Sequence, residues 1–362
     1  MLNIYKMRAN RKLKKFFSGA FLSVLTLLIC FILLEFALQS DIIKIERNSL
    51  LDPDGFISLP FSKETPEYEN IGRFDEILGY SLAENLRDVI QINTNTKVNT
   101  NSIGTRGINE YDLDAKKNIR IMTLGDSFTF GEGVNDNETF SAFLEAKDSS
   151  IEVMNLGVFA YGFDQTLLRY EILGMKYRPD IVILGFWEDD ARRDNYDFFL
   201  GLEKPRFKLN DGKINIENVP IKNPLTYQNE THLKSIRLLH GIFRRLTLKK
   251  EDNPNNLLSY YILKRLIEDS EGINASVVFL NLPSYDDVLG NRTVKNKLFL
   301  NLCNEEEIIC IDPVHELSEF MAGKENSSIY FDCSVHYCPE IHKVIADYIY
   351  EAIKDKTKFN KY

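Results

Sequence analysis

Two residues far apart in this 362-residue chain could do chemistry together: a serine between glycines, and a histidine close to the far end. Ser127 stands in LGDSFTFGEGV, Leu124 to Val134, directly after the apolar run IRIMTL at 119–124. Glycines on either side of Asp126-Ser127 permit a tight strand-to-helix turn. Such a turn would lift Ser127 to the rim of a sheet and aim its N–H, at a helix start, toward a forming anion. A serine hydroxyl becomes a nucleophile when a base takes its proton, usually a histidine oriented by a carboxylate. Of the five histidines, His336 stands out, in FDCSVHYCPEIH with Asp332 four residues before it. Singly, each has a plainer reading: Ser127 as a helix N-cap, His336 as a loop or capping histidine. Jointly they point to acyl transfer.

These residues must be positioned by regular elements, and the pattern from Asn118 onward supplies them. IRIMTL (119–124), IEVMNL (151–156), DIVILGF (180–186), ASVVFLNL (275–282) and EIICID (307–312) read as buried strands. DQTLLRYEILGMKY (164–177), NLLSYYILKRLIED (256–269) and PEIHKVIADYIYEAIKD (339–355) have helical spacing, the last with Pro339 at a first-turn position. Such alternation, with near-continuous apolar strands, predicts an α/β fold whose parallel sheet is covered on both faces. In open sheets of this kind, reactive groups gather outside the carboxyl ends of the strands. Residues 196–255 read as an insertion, a hairpin turning at Asn210-Asp211-Gly212 followed by a helical lid. Residues 39–116 are polar and turn-rich, a stalk with a packed-on extension, and no internal repeat is evident.

Taken in order, LGDSFTFGEGV, NLGVFAYG (155–162), RPDIVILGFWEDD (178–190) and DCSVHYCPEIH (332–342) resemble the blocks of the SGNH, or GDSL-like, hydrolases. The resemblance covers about residues 117–355, reaches back to GTRG at 104–107, and is most specific in its first block. It implies a three-layer α/β/α sandwich with a flavodoxin-like parallel sheet. It also implies Ser127 as nucleophile and, through its N–H, one oxyanion donor, His336 as base, and Asp332 as the residue orienting the imidazole. The family's other two oxyanion donors, a glycine N–H and an asparagine side chain, fall on Ala160 and Asp189. Alanine keeps the N–H if its backbone conformation tolerates a Cβ, with Gly157 and Gly162 available to share the turn. Asp189 could donate only when protonated, and otherwise Trp187 or a backbone N–H would substitute. Asp332 and His336 have three residues between them where the family usually has two, with Cys333 at the usual position. Trp187, the one tryptophan, reads equally as a stacking platform for a sugar or as core packing.

The N-terminus sets the location. Residues 1–15 hold six Lys or Arg and no acid, and Phe16 to Leu34 contain no charge. This predicts a cytoplasmic tip (1–15), a transmembrane signal-anchor (16–38) and export of the remainder (39–116, then the hydrolase-like domain 117–358). A cleaved signal peptide is the rival reading. The whole chain carries −9; without the basic tip, 38 cations face 53 anions, a balance of −15. An acidic exported domain excludes a whole-chain attraction to nucleic acid. Cys303, Cys310, Cys333 and Cys338 allow two disulfides in any of three connectivities, Cys333–Cys338 across His336 among them. Five N-x-S/T sequons begin at Asn137, Asn229, Asn274, Asn291 and Asn326. No cofactor or metal is expected: GDSFTFGEG lacks the Gly-Lys-Ser/Thr ending of a phosphate loop, and His336 and His342 have no carboxylate at a ligand spacing. His342 is expected on the last helix, and Arg192 and Arg193 on a solvated helix surface.

The leading expectation is a membrane-anchored, extracytoplasmic serine esterase that removes acyl groups, acetyl above all, from an acylated surface or exported carbohydrate. A glycan O-acetyltransferase working with a multi-spanning membrane partner is the first alternative. A non-catalytic domain that binds glycan or scaffolds an assembly is the second, motivated by Asp189 and the Asp332–His336 spacing.

Overall fold

The structure, a computed structural model, describes residues 2–40, 71–91, 94–199, 202–221, 235, 256–290, 297–306, 308–322 and 336–358. The chain divides into two units, Met1–Pro60 with Pro224–Lys249, and Phe61–Asn223 with Lys250–Tyr362. The first contains the helix Leu2–Gln39. Its segment Ser18–Gln39, of mean hydropathy 2.6, is the one described helix long and apolar enough to cross a membrane. At a rise of roughly 1.5 Å per residue it matches a hydrocarbon layer about 30 Å thick.

The second unit is built on five parallel strands: β1 (Ile119–Leu124), β2 (Ile151–Asn155), β3 (Ile181–Phe186), β4 (Ser276–Asn281) and β5 (Ile309–Ile311). Their order across the sheet is β2-β1-β3-β4-β5, the doubly wound, flavodoxin-like order. Side chains alternate between two cores, as the period of a strand requires. Met122, Leu124, Val182, Leu184, Val277 and Phe279 face one core with the helices Phe163–Arg169 and Leu257–Gly272. Ile119, Ile121, Ile181, Ile183, Val278 and Leu280 face the other with Phe140–Glu145, Val314–Met321 and Pro339–Lys358. Every residue of β1, β2 and β3 is buried, the Arg120 and Glu152 side chains as an ion pair, which is why these strands read as near-continuous apolar runs.

The expected helix over 164–177 is α-helical only through Arg169; a π turn at Tyr170–Gly174 and a 3-10 turn at Met175–Tyr177 complete it. Gly174 lies against Met122 and Tyr170 with no room for a Cβ. The insertion contains the hairpin Arg206–Asn210/Lys213–Glu217, turning at Asp211 and Gly212 with positive φ at both. The lid expected beyond it lies outside the described residues, Ser235 excepted.

Two small hairpins, Gly72–Asp75/Gly79–Leu82 and Val89–Gln91/Thr96–Val98, belong to the second unit and pack on it. Tyr80 Oη donates to the Phe159 carbonyl at 3.1 Å, and Tyr161 Oη to the Tyr80 carbonyl at 2.6 Å. Buried Arg106 donates to the carbonyls of Phe130, Gly131 and Val134 and pairs with Asp136. The GTRG segment thus braces the turn that follows Ser127.

Cys303 and Cys310 form a disulfide joining the helix Lys297–Glu305 to β5. Cys338 is buried, and Cys333 lies outside the described residues.

Candidate active site

The carboxyl ends of β1, β2 and β3 meet the segment before the last helix. After Leu124 the chain turns through Gly125, whose φ of +148° and contact with Thr129 exclude a side chain. Asp126 caps the short helix Ser127–Phe130, its carboxylate accepting from the Phe128 N–H at 2.9 Å. Ser127 is thereby the first helical residue, and its N–H precedes the hydrogen-bonded turns.

Ser127 Oγ lies 2.8 Å from His336 Nε2, across 209 residues of sequence. Both side chains are largely buried. His336 packs on Phe128 at 4.8 Å between ring centroids, and Phe128 stacks on Trp187 at 4.1 Å. The lone tryptophan is therefore a wall of the site, held by an aromatic neighbour of the serine. Burial pushes the His336 imidazole down to about 4; the Asp126 charge opposes this and the Arg193 charge adds to it. The imidazole is neutral at neutral pH, the form that can accept a proton. His342, on the last helix as expected, accepts the Phe140 N–H at Nδ1 and takes no part in the pair. Asp332 lies outside the described residues.

The loop after β2 is held against the serine turn. Asn155 donates to the Thr129 carbonyl and accepts from the Gly157 N–H, and the Val158 N–H donates to the Gly125 carbonyl at 3.1 Å. Ala160 follows with φ +58°, the left-handed conformation that favours glycine and costs an alanine roughly 1–2 kcal/mol. Among the described residues, neither the Ala160 N–H nor the Ser127 N–H is engaged by a protein acceptor. A buried N–H left in this state is suited to a developing oxyanion.

Asp189 does not fill the donor role expected of it. Its carboxylate is gripped by Arg192 at 2.6 Å and 3.0 Å and lies 3.4 Å from Arg193 Nε. Burial opposes ionisation, but the Arg192 hydrogen bonds and the Arg193 charge outweigh it and hold the carboxyl below the usual range. An ionised carboxylate has no proton to offer an oxyanion.

The expected solvated surface for Arg193 is also corrected. Its guanidinium is buried, and Nη1 contacts Asp126 Oδ2 at 3.0 Å, Asp190 Oδ1 at 2.8 Å and the Tyr161 carbonyl at 2.8 Å. Its own carbonyl accepts from Lys204 Nζ, a fully buried ammonium that also pairs with Asp164. Burial and the Asp126 charge push the Asp190 carboxyl well up, favouring its neutral form. One guanidinium thus ties the serine turn to the loop carrying Ala160.

Glu132 is a further residue that the motif reading passed over. Its Oε2 lies 3.7 Å from His336 Nε2. The signal available was its place five residues after the serine, just past a glycine.

No protein-family model and no curated protein matches the chain. Solved structures similar to it include a member of the lipolytic protein G-D-S-L family from Veillonella parvula DSM 2008, with 16% identity over 65% of this chain and 98% of that one, at a TM-score of 0.40. An acetylxylan esterase from Geobacillus stearothermophilus, solved as a catalytic mutant, shares 14% identity over 66% and 95% of the two chains, with a TM-score of 0.40. A psychrotrophic esterase from Pseudoalteromonas sp. shares 13% over 66% and 98%, with a TM-score of 0.37.

Proposed function

We propose that this chain is a serine esterase of SGNH type, membrane-anchored and extracytoplasmic, removing O-acyl groups, acetyl above all, from a surface or exported glycan. The observation that carries the reading is the 2.8 Å Ser127–His336 pair at the sheet's carboxyl edge. Support for the location comes from the apolar span Ser18–Gln39, the basic tip before it, and the Cys303–Cys310 disulfide, a bond of oxidising compartments.

His336 Nε2 takes the Ser127 Oγ proton as Oγ bonds to the acyl carbon, and the carbonyl oxygen becomes an oxyanion facing the Ser127 and Ala160 N–H groups. The imidazolium then returns that proton to the departing sugar oxygen as the ester C–O bond breaks, leaving acyl-Ser127. A water molecule then attacks the acyl carbon and gives its proton to His336, which passes it to Ser127 Oγ as the acyl–Oγ bond breaks and the carboxylic acid leaves. With Asp189 locked to Arg192, oxyanion stabilisation among the described residues falls to backbone donors. One missing donor of this kind costs about 10²–10³ in rate, so a modest turnover is expected.

The test is hydrolysis of a neutral aryl acetate by the full-length chain in detergent, beside its Ser127→Ala variant. Turnover that disappears with Ser127 supports the esterase. Absence of Ser127-dependent turnover between acidic and neutral pH would favour the non-catalytic alternative.

A further inference from the structure

The insertion delivers a lysine to the loop that carries Ala160. Its first strand pair is Phe198–Phe199/Leu202–Glu203, and Lys204 follows directly. The Lys204 side chain is fully buried, and Nζ donates to Asp164 Oδ2 at 2.5 Å and to the Arg193 carbonyl at 2.8 Å. The backbone at this position is fixed as well. The Lys204 N–H donates to the Asp197 carbonyl at 3.0 Å, and Asn218 Nδ2 donates to the Lys204 carbonyl at 2.8 Å.

Asp164 stands in the first turn of the helix Phe163–Arg169, shortly after Ala160. Its N–H donates to Asp194 Oδ1 at 3.0 Å, and Asp194 Oδ2 accepts from Ser259 Oγ. Gly162, between Ala160 and Asp164, has no room for a Cβ against the Asp164 and Asp194 carboxyl oxygens. Downstream of Ala160 the loop is therefore tied twice, by Arg193 Nη1 on the Tyr161 carbonyl and by Lys204 Nζ on Asp164. Upstream it is tied by the Val158 N–H on the Gly125 carbonyl and by Tyr80 Oη on the Phe159 carbonyl.

Ala160 needs such ties. Its φ of +58° is a conformation that an alanine keeps only where its surroundings hold it there. Releasing the downstream end lets φ return to negative values and displaces the N–H relative to Ser127. A displacement of about 1 Å at a catalytic group can cost about 10²-fold in rate.

We infer that Lys204 is a positioning residue for the reaction: through Asp164 and the Arg193 carbonyl it holds Ala160 in the left-handed conformation that presents its N–H beside Ser127. The inference rests on the esterase reading and gives the insertion a part in the oxyanion site.

The experiment assays the full-length chain in detergent with a neutral aryl acetate, below the unfolding transition of each variant as followed by circular dichroism. Lys204→Met is expected to lower kcat by about 10- to 10²-fold with KM within about twofold of wild type, since the same oxyanion forms in acylation and deacylation. Where the loss of Lys204 beside Asp164 unfolds the chain, Lys204→Met/Asp164→Asn removes the stranded carboxylate and is measured instead. The Lys204 substitution is then repeated in the Ala160→Gly background. Glycine adopts positive φ at no steric cost, so the loss caused by removing Lys204 is expected to shrink there to about threefold or less. A lysine that serves only the core would give equal losses in both backgrounds. A folded Lys204 variant with kcat within about twofold of wild type, or equal losses in the two backgrounds, would overturn the inference while leaving Ser127-dependent turnover intact. Failure of both Lys204 variants to fold would overturn it too, by assigning the lysine to the core. Absence of Ser127-dependent turnover in the unaltered chain would instead overturn the esterase reading, and the inference with it.

Discussion

Replacing His336 with alanine is expected to lower kcat/KM for a neutral aryl acetate by roughly 10²–10⁴-fold, because Ser127 then has no base at 2.8 Å. The unaltered chain should carry the same histidine in its pH profile. Burial pushes the imidazole down to about 4, so the acid limb of kcat/KM is expected near that pH and not near the ordinary histidine value of about 6.5. Stability follows the same sign. Between about pH 6.5 and 4 the unfolded chain binds a proton at this position that the folded chain does not, so folding stability falls as the pH falls through that window. His342, pushed down to about 3 by burial, adds a loss of the same sign that extends further into acid. A profile that turns at about 6.5 and is unchanged in shape by His336→Ala would contradict the role given to this residue.

The second large effect is expected at Arg193. Methionine there keeps the length and apolar volume of the side chain but removes the guanidinium between Asp126 and Asp190. Removing one partner of a buried ion pair typically costs about 3–5 kcal/mol. Unfolding in urea, followed by the fluorescence of Trp187, should register a loss in that range, since the one tryptophan stacks beside the site. Turnover should fall as well, because the serine turn loses its tie to the Tyr161 carbonyl next to Ala160. Lysine keeps a charge without the fork and should lie between methionine and wild type. A loss below about 1 kcal/mol in Arg193→Met would mean that the carboxylates are satisfied by other groups.

These two residues differ in how openly they announce themselves in sequence. His336 is legible because histidines are few and one stands directly before a helical segment. Ser127 is legible because an apolar strand runs into Gly-Asp-Ser. The sheet is legible for the same reason that it is buried: strands covered on both faces need apolar side chains at most positions, with the Arg120–Glu152 ion pair an exception. Arg193 is different. Charge patterning places an arginine on the surface, and only the meeting with Asp126, 67 residues away, turns it into an internal tie. Asp189 has its partner three residues ahead, a helical spacing that was visible, yet its motif position drew attention to the donor it would replace. Glu132 is concealed by a turn, since five residues along a helix would carry it away from Ser127 were it not for the reversal at Gly131. Among the cysteines, spacing allowed every pairing; proximity of β5 to the preceding helix selects Cys303–Cys310.

The covalent state of Ser127 tests the central claim most directly. Full-length protein treated with a neutral alkyl fluorophosphonate, digested and mapped by mass spectrometry, is expected to carry an adduct on Ser127, and His336→Ala is expected to carry none on the same timescale. Protein left unlabelled at acidic and neutral pH, or labelled on a different hydroxyl, would contradict the serine–histidine site.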